Sequence, residues 1–430
     1  MFERRQARGE AIALAASVAI ALLASPARAG SDGATADAPA PAASAAAPAP
    51  APTTAPPPSP PPAPRRESVV LAPPRPPAGG EDATAATSVI TADRTPRSGE
   101  SLPQLLSELP GMAVTRFGGL GASAFLSIRG STWDQVRIVV DGVPLNLASG
   151  AQIDLGSIAV GSIERIEVYR AMTPISVGTS ALGGTVAITT RQPRASGAEA
   201  EAGTGSFGTR FGSASGSLAG GPARVYAAIH LLDVVGDFPY AWDNGTRNNP
   251  ADDETRVRQN NEIRQGDAVV RAALALAPTR ELQLSLSGLG RRQGVPGFGT
   301  HLDPEARLTT LRGIASLTYT GRDDLGPAGR LQLQAYSIVT QQQFWDPPAI
   351  ISLTPADTRD RTTTFGATAR AARAATPWLK LAAIADGRAE KFQPRQRRDG
   401  VDVIGDPSSR LFASAGAEAD AWWERPRLGV

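Results

Sequence analysis

The chain contains no cysteine and only two histidines among its 430 residues. Without thiols it can form neither a disulfide framework nor a thiolate metal site, and two histidines are too few for a histidine-rich zinc centre. We expect His230 and His301 to lie in a strand wall or a loop rather than to bind a metal. The sequence therefore argues against disulfide-rich scaffolds and the common zinc folds.

A strong charge of either sign is also lacking, because 43 Lys and Arg side chains are offset by 41 Asp and Glu. A nucleic-acid-binding protein needs a basic face, and this balance predicts neither such a face nor a nucleic-acid partner. Catalytic patterns are missing too: there is no G-x-S-x-G nucleophile elbow and no carboxylate pair whose spacing suggests acid–base catalysis. We therefore expect a protein that is not an enzyme.

Residues 1–29 have the parts of a secretory signal peptide. Arg4, Arg5 and Arg8 form a basic start, an uncharged apolar run extends over residues 11–24, and an Ala-x-Ala sequence ends at Ala29. The apolar run is shorter than the roughly 20 residues that span a bilayer. We expect cleavage and export rather than a membrane anchor.

Residues 30–86 are rich in Ala and Pro and predict an extended tether. A short β-prone run at residues 67–72 interrupts this composition. Such a run can add to the edge of a partner's sheet through main-chain hydrogen bonds. The alternative is that a few apolar residues in a linker have no function.

Folded structure is expected to begin near residue 87, where a β-prone run predicts a strand. Leu102, Leu105 and Leu106 then recur at helical spacing after Ser101, a residue type that caps helices. The leucines predict a short helix whose apolar side packs on the domain. Further on, an Asp-Gly pair at residues 141–142 stands between apolar residues and predicts a tight hairpin turn.

Five motifs between residues 109 and 190 carry a resemblance to a known family. They are LPG at 109–111, IRG at 128–130, VDGV at 140–143, IERIEV at 163–168 and GGTVAITT at 183–190. In this order they resemble the plug domain of TonB-dependent outer-membrane receptors. The sequence departs from the family's usual pattern at residues 171–174 and at Ala187, which affects the expected shape of local loops.

The resemblance implies an α+β plug domain over residues 87–192 and a transmembrane β-barrel after it. It implies that plug charges such as Arg129 and Arg165 latch the plug by pairing with carboxylates of the barrel wall, since an unpaired buried ion is costly. It also implies that the tether lies in the periplasm and that an inner-membrane TonB complex is the partner of its β-prone run. That run, the TonB box of the resemblance, consists of Glu67, Ser68, Val69, Val70, Leu71 and Ala72.

Substrate contacts are expected at the extracellular side. The resemblance places Arg116, Phe117 and Trp133 near the apical loops, although Trp133 could equally pack against the barrel wall. The first long loop after the plug adds Tyr240 and Trp242.

The same loop is acidic. It resembles loops with which vitamin B12 receptors of this family bind Ca²⁺, and its candidate ligands are Asp243, Asp252 and Asp253. The alternative reading is a solvated acidic loop with a turn. No other cofactor is expected.

From residue 193 to 430, apolar residues alternate with polar or small ones, the period of a β-strand with one lipid-facing side. The pattern predicts about ten antiparallel transmembrane strands, with short turns alternating with long loops. Receptors of this family close a barrel of about 22 strands, so we expect an incomplete barrel, the N-terminal portion of a longer receptor. A small ten-stranded barrel is the alternative.

These features together predict a monomeric receptor in the lipid of the cell outer membrane. The expected activity is import of a scarce metal chelate or corrinoid (siderophore, haem or vitamin B12 type) by TonB-transmitted energy. The alternatives are a passive channel, a binding protein that does not transport, or a truncated inactive receptor. Deleting residues 67–72 would separate active from passive entry.

Overall fold

A computed structural model describes residues 87–91, 101–146, 153–158, 162–170, 173–178, 181–192, 195–246, 248–298, 301–352, 354–398 and 401–421. The predicted signal peptide and the tether with its run at 67–72 lie outside the described residues. Three short 3-10 helices occur at Trp133–Gln135, Leu155–Ser157 and Pro250–Asp252. The remaining elements, in chain order, are β1 (Thr87–Thr91), α1 (Leu102–Ser107), β2 (Met112–Arg116), β3 (Ala124–Ile128), β4 (Val136–Val140), β5 (Val143–Pro144), β6 (Ile163–Tyr169), β7 (Gly184–Thr190), β8 (Gly197–Gly205), β9 (Thr209–Gly220), β10 (Ala223–Val234), β11 (Pro239–Trp242), β12 (Glu254–Val257), β13 (Ile263–Ala277), β14 (Arg280–Gly294), β15 (Gly297–Phe298), β16 (His301–Leu302), β17 (Arg307–Arg322), β18 (Gly329–Asp346), β19 (Ala356–Thr376), β20 (Leu379–Gln393), β21 (Arg395–Arg398), β22 (Val401–Ile404) and β23 (Ser408–Ala421).

The first domain is a small α+β plug built on a five-stranded sheet of order β1-β6-β7-β4-β5. Helix α1 follows Ser101 as predicted, and Leu102 and Leu106 are completely buried in the core that the helix shares with the sheet. Ser101 occupies the N-cap position but makes no side-chain capping bond. The helix is therefore held by its apolar side rather than by its cap.

The predicted Asp-Gly turn joins β4 to β5. Asp141 and Gly142 both have positive φ angles, 50° and 82°, as a tight two-residue hairpin turn requires. A side-chain carbon on Gly142 would lie 2.7 Å from Oε1 of Gln334, a residue of strand β18. The turn thus leaves the plug surface and meets the second domain.

The second domain is an antiparallel wall, and the ten long strands among its described residues confirm the predicted number. Strands β8, β9, β10, β13, β14, β17, β18, β19, β20 and β23 pair with their neighbours in that order. The first two connections, β8–β9 and β9–β10, are short, with three and two residues. From β10 onward, connections of nine residues or more alternate with turns of two to six residues, and some of the long ones carry the hairpins β11–β12, β15–β16 and β21–β22. This alternation is typical of an outer-membrane barrel, with short periplasmic turns and long extracellular loops.

The two faces of the wall differ as the alternation in the sequence predicts. One face exposes apolar side chains, for example Val270, Leu284 and Leu333 at 41–44% of their surface. The opposite face contacts the plug and carries polar groups such as His230, whose Nδ1 lies 2.8 Å from Oδ2 of Asp267. His301 lies in the short loop strand β16. We call the face that exposes the apolar side chains the outward face and the face that contacts the plug the inward face.

None of the helices in the described ranges has the length and apolar character that crossing a membrane would require.

Candidate functional site: the plug–wall interface and the apical surface

The Asp141 carboxylate is the centre of the first contact between plug and wall. Within the plug, Oδ1 accepts the amide of Thr190 at 2.9 Å and Oδ2 accepts its hydroxyl at 2.8 Å. From the wall, the Arg271 guanidinium forms an ion pair with Oδ2, and its Nη1 donates to the Thr190 carbonyl at 3.1 Å. Gln334 donates to the Asp141 carbonyl at 2.9 Å. Three wall contacts thus converge on one turn and the strand beside it.

Burial makes it costly to separate the ion pair of Asp141 and Arg271. The Arg271 side chain is 1% exposed and that of Asp141 13%. A buried charge without its partner costs several kcal/mol, so neither side chain can leave the other without cost. The pair therefore holds the β4–β5 turn against strand β13.

A second contact is built on Asp154. This carboxylate ties the plug together, because Oδ1 accepts the amides of Ala124 and Gly156, each at 2.9 Å. Its Oδ2 lies 3.4 Å from Nη1 of Arg291 on strand β14. Arg291 also donates to the carbonyl of Gly121 in the plug loop that follows β2. The second contact thus joins that loop to the upper part of the wall.

Strand β17 supplies a third contact through Arg312. Its Nη2 donates to the carbonyl of Ser157 at 2.6 Å, and Nη1 donates to the hydroxyl of the same residue at 3.3 Å. Farther along the wall, Arg370 donates to the Val177 carbonyl at 3.3 Å.

The predicted latch residues have plug partners. Nη1 of Arg129 donates to the carbonyl of Arg170 at 3.3 Å, and Nη2 of Arg165 lies 2.6 Å from a carboxylate oxygen of Glu167. Their role as latches to wall carboxylates stays a prediction. Among the described residues, one plug–wall ion pair has the predicted polarity, because Nη1 of Arg191 at the end of the plug lies 2.8 Å from a carboxylate oxygen of Glu199 on β8. The pairs at Asp141 and Asp154 have the opposite polarity, with arginines on the wall and carboxylates on the plug. Sequence reasoning missed Arg271, Arg291 and Arg312.

A charged cluster lies on the inward face of β20 and β23. Glu390 is 3% exposed; it receives Nη2 of Arg410 at 3.0 Å and lies 3.3 Å from Nε of Arg388. The plug approaches this cluster through Arg137. Burial lowers the pKa of the Arg137 guanidinium, and neighbouring Arg388 lowers it further. The inward face is thus polar where it meets the plug.

Two predicted substrate contacts lie together at the apical end of the plug. The ring of Phe117 is 6.4 Å from that of Trp133, edge to face, and Phe125 stacks on Trp133 at 5.2 Å. Phe117 remains 52% exposed. Arg116 ends β2, directly before Phe117, and its Nη2 donates to the Ser107 hydroxyl at 3.4 Å. Phe125, which sequence reasoning missed, completes the cluster because it lies opposite the end of β2.

The other two predicted contacts lie on the extracellular hairpin β11–β12. Arg256 lies over the Trp242 ring at 4.3 Å and Arg258 over the Tyr240 ring at 5.5 Å. The register accounts for these cation–π pairs, because Tyr240 lies directly opposite Arg256 and Trp242 opposite Glu254, so that each arginine shares a face with the two rings and lies over the one on its diagonal. The structure thus divides the predicted substrate contacts between a plug cluster and a loop hairpin.

The predicted calcium loop connects β11 to β12. Asp243 accepts the amide of Gly245 at 3.1 Å, and both oxygens of Asp252 lie 2.8 Å from the Thr246 hydroxyl. These bonds stabilise a turn. Across the described ranges, no group of three or more acidic or histidine side chains is arranged to hold a metal ion. Binding of Ca²⁺ by Asp243, Asp252 and Asp253 stays a prediction.

Comparison with known proteins confirms the resemblance carried by the motifs. Residues 80–185 match the family model described as the TonB-dependent Receptor Plug Domain. The vitamin B12 transporter BtuB of Vibrio cholerae serotype O1 is 35% identical over 109 residues, which is 25% of this chain and 18% of that protein. BtuB of Vibrio vulnificus is 34% identical over 156 residues, 36% of this chain and 25% of that protein.

Solved structures share the fold over the plug and the wall together. The copper transporter OprC aligns with a TM-score of 0.60 at 15% identity, over 79% of this chain and 52% of that one. A ferric enterobactin receptor (PfeA) mutant from Pseudomonas aeruginosa aligns with a TM-score of 0.59 at 16% identity, over 78% and 55%. The chain thus spans about half the length of these structures and a quarter or less of the curated relatives.

Proposed function

We propose that this chain, which carries the plug domain and barrel strands of a TonB-dependent receptor of the outer membrane, serves active import of a scarce metal chelate or corrinoid. The observation that carries the proposal is the polar plug–wall interface centred on Asp141 and Asp154. A few buried ion pairs hold the plug firmly, yet polar groups can exchange these partners for water when the plug moves. Such an interface suits a plug that must open and close again.

The energy would enter through the tether. We assign the run from Glu67 to Ala72 to contact with the inner-membrane TonB complex, by addition of a strand to the partner's sheet. Strand β1 follows after 14 residues, a reach of up to about 46 Å when extended. Within the described plug sheet β1 is an edge strand, paired with β6. A pull on the tether therefore acts first on the edge of the plug.

The apical residues would receive the substrate. The rings of Phe117 and Trp133 offer apolar faces, and the hairpin β11–β12 adds Tyr240 and Trp242 with their guanidinium neighbours. Aromatic rings and arginines suit a bulky ligand with aromatic or anionic groups. The named relatives are transporters of vitamin B12 and of copper and a receptor for ferric enterobactin, and we propose a ligand of this general kind.

Deletion of residues 67–72 tests the proposal. Cells that rely on this receptor would be assayed for binding and uptake of radiolabelled cyanocobalamin and, separately, ferric enterobactin. A matched deletion of residues 40–45 removes the same length of tether and leaves the proposed TonB contact intact. We expect the first deletion to abolish uptake and preserve binding, and the second to change neither. Uptake that survives the first deletion would identify a passive channel, and binding without uptake in the unaltered protein would identify a non-transporting receptor.

A further inference from the structure

Besides Arg307, whose Nη2 lies 3.0 Å from Glu262, six basic side chains lie on the outward face of the wall near the extracellular ends of its strands. In an antiparallel sheet, directly opposed residues share a face and residues two apart along a strand do so as well. The register therefore assigns each of the six to the face that exposes Val270, Leu284 and Phe365. They are Arg210, Arg264, Arg292, Arg359, Arg361 and Lys391.

Strand β13 shows at what depth these cations lie. Below Arg264 its outward positions from Gly266 to Leu276 are uncharged. These positions cover ten residue steps of about 3.3 Å each along the strand. Because strands of such barrels are tilted by about 40°, the steps span about 25 Å along the membrane normal. That is about the height of the apolar band of an outer-membrane barrel. Arg264 thus lies at the upper boundary of the band, at the level of lipid headgroups.

The cations at this level outnumber the acidic groups beside them. Asp233 lies directly opposite both Arg210 and Arg264, and its Oδ1 is 3.6 Å from Nε of Arg264. On its other side, Arg264 lies directly opposite Arg292, whose next neighbour in the register is Thr309. Like charges that are directly opposed destabilise a sheet. Glu262, two residues before Arg264, pairs instead with Arg307 at 3.0 Å. Three arginines on strands β9 to β14 thus share the single carboxylate of Asp233.

We propose that Arg264 and Arg292, flanked by Arg210, bind the phosphate group of a phosphorylated lipid in the outer leaflet. A phosphate between the two guanidinium groups replaces their repulsion by charge-assisted, bidentate hydrogen bonds. The acyl chains of the same molecule then lie along the uncharged band below. Arg264 is 80% exposed, so the site is open to the lipid from the side. The assignment depends on the outer-membrane location and not on transport.

Native mass spectrometry tests the site directly. The protein, purified in a neutral detergent, is titrated with dioleoyl phosphatidic acid or with dioleoylglycerol, which has the same chains and no phosphate. We expect the protein to prefer phosphatidic acid by about tenfold, and R264Q/R292Q to lose that preference. R264K/R292K keeps both charges and should retain most of it. R395Q/R397Q removes two cations from the loop hairpin β21–β22 and should bind like the unaltered protein.

Three outcomes would overturn the proposal. The first is an unchanged lipid preference in R264Q/R292Q. The second is an equal loss in R395Q/R397Q, which would show that net charge alone controls binding. The third is displacement of phosphatidic acid by equimolar inorganic phosphate, which would show that the arginines bind a free anion rather than a lipid. The β-sheet signal in circular dichroism checks the folding of each variant. Lipid binding by R264K/R292K shows in addition that substitution at these two positions leaves the wall intact.

Discussion

Replacing Arg271 by leucine should loosen the plug at the β4–β5 turn. The substitution removes the guanidinium from the Asp141 carboxylate and leaves it with the amide and hydroxyl of Thr190. Loss of one partner from a buried pair costs about 3–5 kcal/mol. Because Asp141 retains 13% exposure, some water can reach it, and we take the lower figure of about 3 kcal/mol. This corresponds to roughly a 150-fold increase in the population of the opened turn.

Native-state hydrogen exchange measures this opening. The amide of Asp141 donates to the Ile188 carbonyl at 2.9 Å, and the amide of Thr190 donates to Asp141 itself. Both amides should exchange faster in R271L when the turn opens, whereas R256L, which removes an arginine from the loop hairpin, should leave them unchanged. The double variant R271L/D141N has no buried unpaired charge and should recover at least about 2 kcal/mol of the loss.

Two results would refute the reasoning about Arg271. One is a change of less than about threefold in the protection of both amides in R271L, which would correspond to under 1 kcal/mol. The other is a double variant R271L/D141N that is no more protected than R271L, because the cost would then not arise from an unpaired Asp141.

Two further predictions concern the turns. In G142A the new methyl group would lie 2.7 Å from Gln334 at a residue whose φ is +82°, so the variant should lower the stability of the plug by about 1–3 kcal/mol. Adding Q334A should relieve the contact but not the backbone strain. A melting temperature of G142A equal to that of the unaltered protein would contradict this prediction. In the periplasmic turn, hydrogen bonds from Tyr319 and then Arg280 hold the pKa of Asp324 below its usual value of 3.8. Since the folded pKa is the lower one, the stabilisation is present above the unfolded pKa and is lost as pH falls through the folded value. As pH is lowered from 6 to 2, the melting temperature should therefore fall more steeply for the unaltered protein than for D324N. Parallel plots of melting temperature against pH for the two proteins would contradict the assignment.

Several features of the fold could be read from the residue pattern because they depend on local chemistry. Alternation of apolar and polar residues identified the wall strands, and the spacing of Leu102, Leu105 and Leu106 identified α1. The Asp-Gly pair identified the turn at Asp141. In each case the residues that carry the signal lie within a few positions of one another.

The plug–wall contacts could not be read in this way. Arg291 and Gly121 are 170 positions apart, and Arg312 and Ser157 are 155 apart. Alternation predicts that Arg312 faces inward, but it does not predict which level of the plug the strand contacts at that residue. The family resemblance directed attention to Arg129 and Arg165, whose described partners lie within the plug.

The sequence by itself determined which segments become strands, which side of each strand faces lipid and where the turns fall, because period and turn chemistry are local properties. Only the tertiary structure decided which inward arginine reaches Asp141 and which outward arginines, Arg264 and Arg292, lie directly opposite each other. The physical reason is register. A shift of one strand by two residues preserves both faces and every local preference, yet it changes every cross-strand neighbour, so packing against the plug and the neighbouring strands must select it.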